Sequence, residues 1–107
     1  MAITKTKGDI GEAMVLADVL RRGYKAAIPL GEDWKYDLIV LRKNKLLRLQ
    51  CKYSQMQSGI IFVRCRSANN WKAYSYTKDD FDWLAVYEPT LDKCYYLPSH
   101  MGDQVFI

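Results

Sequence analysis

The chain has 107 residues, half of them hydrophobic and 26% charged, a size and balance that fit one folded domain and exclude a disordered tail. No stretch approaches the roughly 20 apolar residues of a membrane span, and no apolar block of a secretory signal follows Lys5 and Lys7. The net charge of +4 conceals a division: residues 1–72 carry 14 Lys and Arg against 6 Asp and Glu, or +8, and residues 73–107 carry 2 against 6, or −4.

From Asp9 to Arg22, the residues Ile10, Ala13, Met14, Ala17 and Leu20 recur at helical spacing, with an acid at the start, Arg21 and Arg22 at the end and Gly23 as the stop. Val15, Leu16 and Val19 widen the apolar stripe, which predicts a helix that is mostly buried. After Gly23 the period shortens. Residues 24–28 read as a short strand ended by Pro29, and residues 30–35, with Gly31 and two acids, as a loop. Residues 36–41 and 46–53 read as strands joined across Lys43-Asn44, and 60–64 as a third after the polar stretch 54–59. Residues 67–80 are polar and aromatic and read as loop, with one helical turn near Lys78 to Asp80. Residues 81–87 read as a strand stopped by Pro89, and 94–97 as its partner across a turn around Asp92. With no internal repeat or linker, the expectation is one domain over residues 1–107, a helix followed by a mainly antiparallel sheet, α+β or mixed α/β in class. Cys51, Cys65 and Cys94 cannot all pair and are expected as reduced thiols in a cytoplasmic protein.

Two features fit pure structure poorly. Glu12 has Val15, Leu16 and Val19 on its own helix face, where a carboxylate is costly without a partner. Its place early in the helix equally allows solvent contact or a favourable interaction with the helix N-terminus. The second feature is the hairpin, where Arg48, Gln50 and Lys52 share one strand face. If Lys43-Asn44 is a two-residue turn, Asp37 faces Gln50; if Asn44-Lys45 is the turn, Asp37 faces Lys52. Either register gathers Asp37, Gln50 and Lys52, whereas a three-residue turn disperses them.

An acid, an amide and an ammonium on one sheet face, with a further acid on a helix, suit metal-assisted phosphodiester hydrolysis. Asp37 and the backbone carbonyl of Cys51 offer hard oxygens to Mg²⁺, Gln50 adds a neutral oxygen, and Lys52 can orient or deprotonate water or offset charge on the phosphate. A structural Asp–Lys pair at a sheet edge explains the same spacing. The segregated positive charge makes nucleic acid a candidate partner, with Arg64, Arg66, Lys72 and the loop around Lys35 as phosphate contacts; a solvated basic rim is the alternative. His100 has no ligand-spaced neighbour, and Trp71, Tyr74, Tyr76 and Trp83 are as suited to packing as to stacking on bases.

The run Lys7-Gly8-Asp9-Ile10-Gly11-Glu12 opening a helix, then Tyr36-Asp37, then Gln50-Cys51-Lys52, resembles the PD-(D/E)XK nuclease superfamily in order and spacing. Residues 29–34, 64–67, 82–87 and 94–98 extend the likeness to the branch of the cyanobacterial group I intron homing endonuclease. The resemblance implies a restriction-endonuclease-like α/β (α+β) core, with an N-terminal helix packed on a mixed, largely antiparallel sheet. It further implies that Asp37 is the metal-binding acid, Lys52 the catalytic lysine and Glu12 the helix carboxylate completing the metal site. Gln50 stands where the wider superfamily has Asp or Glu and where this branch also has Gln, and Tyr36 replaces the Pro before the Asp. The homing endonucleases of the branch continue beyond the equivalent of Ile107 with a segment that helps build a tetramer, an extension not expected here.

The resulting expectation is a Mg²⁺-dependent DNA endonuclease of homing type, with Mn²⁺ able to substitute, acting on double-stranded DNA as a homodimer or homotetramer and without a membrane partner. Its site comprises Glu12, Asp37, Gln50 and Lys52, with the Cys51 carbonyl on the metal and Lys7, Lys35, Arg64, Arg66 and Lys72 on DNA. A Holliday-junction-resolvase-like nuclease and a non-cleaving DNA-binding module on the same fold are the alternatives.

Overall fold

The computed structural model describes residues 4–64, 66–69, 72–75, 80–99 and 104–106. One helix, α1 (Thr4–Arg21), precedes β1 (Lys25–Ala27), β2 (Leu38–Arg42), β3 (Lys45–Tyr53), β4 (Phe62–Arg64), β5 (Arg66–Asn69), β6 (Lys72–Ser75), β7 (Trp83–Glu88), β8 (Lys93–Pro98) and β9 (Gln104–Phe106). The main sheet has the order β1-β2-β3-β7-β8, and β4 pairs with β9 and β5 with β6 as separate two-stranded ribbons. Every junction of the main sheet is antiparallel except β3–β7, which is parallel. The sheet is therefore mixed and largely antiparallel, with its one parallel junction at the centre.

The helix begins at Thr4, five residues earlier than the apolar period predicts, because its first turns are polar and mostly exposed and carry no hydropathic period. Its end follows the prediction. The amide of Gly23 donates to the carbonyl of Leu20 at 3.0 Å and that of Tyr24 to Val19 at 3.1 Å, with Gly23 at φ 88°, the paired bonds of a Schellman stop.

The buried stripe is only part of the predicted one, joined by Gly11. Gly11, Val15 and Val19 are buried, whereas Ile10 is 37% and Leu20 53% exposed. The sheet selects the face carrying Gly11: a Cβ there would lie 3.2 Å from Tyr53 Cβ and 3.3 Å from the carbonyl carbon and oxygen of Lys52. A residue without a side chain lets the helix rest against β3, so α1 buries one stripe rather than most of its surface.

Val15 and Val19 pack with Leu38, Val40, Leu49 and Ala85 on the helix side of the sheet, and Ile61, Phe81, Leu84 and Val86 form a second cluster. Of the two expected registers, the hairpin uses the one with Lys43-Asn44 as its turn. Leu38 pairs with Leu49 and Arg42 with Lys45, and Lys43 and Asn44 take φ 51° and 64°, as the two central residues of a type I′ turn must. A different outcome meets residues 67–80, expected as loop: Arg66–Asn69 and Lys72–Ser75 form the ribbon β5–β6, with Ser67 opposite Tyr74. Among the described residues β5 and β6 pair only with each other. The helical turn expected near Lys78 to Asp80 lies largely outside the described residues, as do His100, Trp71, Tyr76 and Cys65.

Candidate active site

The site forms where β2 and β3 part. Their last ladder pair is Leu38–Leu49. One step earlier, the Asp37 amide still donates to the Leu49 carbonyl at 2.8 Å, while Asp37 Oδ2 accepts the backbone N–H of Cys51 at 2.9 Å. A carboxylate thus takes the place of the next backbone acceptor. In an extended strand the N–H and C=O of one residue point to the same edge, so the Cys51 carbonyl is directed to the opening that Asp37 occupies.

Side-chain alternation then sorts the neighbours. Leu49 and Cys51 face α1, and Gln50 and Lys52 take the other face, beside Leu84 and Val86 on β7. Gln50 is 7% exposed. Lys52 is half-buried and its charge draws the Asp37 carboxyl downward. Glu12 comes from the helix side, placed by the contact of Gly11 with β3. A cavity of about 250 Å³ lined by Asp9, Glu12, Ala13, Leu16, Ile28, Asp37 and Leu38 lies between α1 and the start of β2.

The Glu12 and Asp37 carboxyls are both raised chiefly by burial. Burial pushes the Asp37 carboxyl above its ordinary range, against the Cys51 N–H bond and the Lys52 charge, which lower it. Partial burial, then Asp37, then Asp9 raise Glu12. The Cys51 thiol is also pushed up, first by burial and then by Asp37 and Glu12, so it is an inert thiol within the negative field of the site. A hard divalent cation relieves this kind of crowding. Two carboxylates and a strand carbonyl are hard oxygen donors of the kind such a cation takes. Among the described residues no three His, Cys, Asp or Glu side chains gather as a metal-binding group, so the protein's ligand set is sparse.

Of the sequence-predicted residues, the structure places Asp37 within reach of Glu12, the Lys52 charge and the Cys51 N–H, while Gln50 lies on the β3 face away from α1, opposite Leu84. Lys7 lies along the same helix, its ammonium 6.0 Å from the centre of the Tyr53 ring. Lys35 pairs with Asp80 at 3.5 Å. The side chains of Arg64, Arg66 and Lys72 lie outside what the structure describes. Asp9 was missed, although its spacing of three from Glu12 on a helix is a readable signal.

Residues 2–105 match the family model of PD-(D/E)XK endonucleases. The chain belongs to this endonuclease family. Among solved structures, that of a bacterial homing endonuclease, I-Ssp6803I, matches with a TM-score of 0.80 and 25% sequence identity over 99% of this chain and 78% of the other. A search of curated proteins gave no match. The family and the structural neighbour agree with the fold built from the hairpin register and the helix contact, and they identify the protein as a DNA endonuclease.

Proposed function

We propose that this endonuclease hydrolyses double-stranded DNA with the help of a divalent cation, Mg²⁺ or Mn²⁺, bound at the parting of β2 and β3, and that it is of homing type. The observation that carries the proposal is the pairing of two partly buried acids, Glu12 and Asp37, each raised above its ordinary carboxyl range and each facing one cavity. Asp37, Glu12 and the Cys51 carbonyl would hold the cation, with Gln50 as a neutral contributor. Bound there, a divalent cation supplies a more acidic water and offsets charge on the scissile phosphate.

The rest of the work falls to the chain's own groups. Asp37 is fixed by its bond to the Cys51 N–H and cannot swing away from the opening. Lys52, whose charge reaches the Asp37 carboxyl, orients the attacking water, takes its proton or balances the charge that develops on the phosphate. The neutral amide of Gln50 adds no further negative charge, which the phosphate would otherwise meet. In-line attack leaves a 5′-phosphate product. Lys7, Lys35, Arg64, Arg66 and Lys72 are proposed phosphate contacts, and Lys35 would exchange Asp80 for DNA. Cutting both strands calls for two such sites, hence a homodimer or homotetramer.

The test is incubation with Mg²⁺ and supercoiled, linear or four-way-junction DNA. Wild type is expected to cut linear duplex, and Lys52→Ala to cut about 10²–10⁴-fold more slowly. Cleavage confined to junctions would replace the homing reading with a resolvase, and no cleavage of any substrate would leave a DNA-binding module.

A further inference from the structure

The acids of the proposed site are held by a structure that begins well outside it. Asp82 precedes β7, and its Oδ2 accepts the backbone N–H of Arg48 at 2.8 Å, while its own amide donates to the Arg48 carbonyl at 2.8 Å. The Arg48 guanidinium closes a two-point fork on the same carboxylate, Nε to Oδ2 and Nη2 to Oδ1, each at 3.2 Å. Asp82 therefore grips Arg48 by backbone and side chain together. The parallel ladder starts one residue further on, at Leu49–Trp83.

From Arg48 the chain of contacts runs to the site. The guanidinium lies 5.8 Å from the centre of the Tyr36 ring, a cation–π separation, and Trp34 meets the same ring edge-on with centroids 5.4 Å apart. Trp34 is itself held by a 2.9 Å bond from Nε1 to the Leu30 carbonyl. Tyr36 is the residue before Asp37. Arg48, Gln50 and Lys52 follow one another on one face of β3, so the same grip fixes the starting register of the strand that carries the other site groups. A slip of one residue there would turn Gln50 and Lys52 to the helix side.

We propose that Asp82, acting through Arg48 and Tyr36, is a positioning residue that sets where the Asp37 carboxylate stands relative to Glu12 and Lys52. The inference rests on the active-site reading above. Hydrogen bonds from Arg48 outweigh burial and keep the Asp82 carboxyl below its ordinary range, so its grip is constant across the neutral range. Asp82 points its carboxylate at Arg48 and has no part in the chemistry.

The test is Mn²⁺ binding by calorimetry, without DNA, on wild type, Asp37→Ala, Asp82→Ala, Asp82→Asn and Tyr36→Leu. The expectation is that Asp82→Ala and Tyr36→Leu weaken Mn²⁺ binding by about tenfold or more, and that Asp82→Asn, which can still accept the Arg48 N–H, stays within about threefold of wild type. Tyr36→Leu leaves the Arg48–Asp82 grip in place and so tests the link even if Asp82→Ala does not fold. Tyr36→Leu binding Mn²⁺ like wild type, or a folded Asp82→Ala doing so, would overturn the positioning role while leaving the site intact. Asp37→Ala binding like wild type would instead remove the active-site reading, and the proposal with it.

Discussion

Glu88 and Asp37 are both carboxylates withdrawn from water, and the fold treats them in opposite ways. Glu88 is fully buried, and its burial is overcome by donors: the amides of Met56 and Leu91, each at 2.6 Å, and the hydroxyl and amide of Thr90. Its carboxyl is held below the ordinary range. Asp37 has the Cys51 amide and the Lys52 charge, which do not overcome burial, and it raises Glu12 across the cavity in turn. A buried acid surrounded by donors fastens loops, here 54–60 to the β7–β8 turn. One left short of donors beside another acid is what the proposed cation site requires.

The contrast breaks most visibly at Asp37. Asp37→Asn preserves an acceptor for Cys51 but removes the charged ligand proposed for the cation, and DNA cleavage should fall by about 10³-fold or more in a gel assay. At Glu88 the loss should appear in stability. Glu88→Ala leaves several buried donors without an acceptor and should lower unfolding free energy by about 2–4 kcal/mol in urea titration.

The hairpin register was legible because its determinants are local: Lys43 and Asn44 form a two-residue turn that sets Leu38 opposite Leu49; where the ladder ends, the Asp37 amide turns to the Leu49 carbonyl, a departure from the regular pairing that the period of two does not announce. The helix stop at Gly23 was legible for the same reason. The buried stripe of α1 was not, because hydropathy weights Ile10 and Leu20 and gives Gly11 no weight, whereas the closest approach to β3 is made at Gly11. Glu88 and Asp82 were opaque too. The distant partner of each, Met56 for Glu88 and Arg48 for Asp82, lies 32 and 34 residues away, across a crossover between parallel strands that no local pattern announces.

Gly11 makes a sharper, smaller test. In Gly11→Ala the added Cβ meets backbone 3.3 Å away that cannot yield easily, offset by the better helix propensity of Ala, about 1 kcal/mol. Stability should therefore change little. Glu12 should shift from Asp37, and half-maximal cleavage should need several times more Mg²⁺. A Mg²⁺ requirement equal to wild type would mean that the helix contact does not place Glu12.

The smallest effect should be in the acid limb of stability, where the two kinds of carboxylate act with opposite sign. Glu12 and Asp37 have raised folded-state values, so the cation-free protein gains stability as pH falls through them. Glu88 and Asp82 have lowered values, so their contribution is complete above the ordinary carboxyl range, about pH 4, and is lost as pH falls through their folded-state values. Stability should peak on the acid side of neutrality. Glu12→Gln should flatten the rise, and Glu88→Gln should remove most of the fall below it, both read from Tm against pH.

The central claim is that Glu12 and Asp37 are kept together at a cost in stability that a divalent cation reverses. Thermal unfolding of wild type and Asp37→Asn at neutral pH, with chelator and with saturating Mn²⁺, tests it most directly. The account predicts a crossover: with chelator, Asp37→Asn melts about 2–5 °C above wild type, and with Mn²⁺ wild type melts above Asp37→Asn because only it gains the full energy of binding. The same order of the two proteins in both conditions would contradict it.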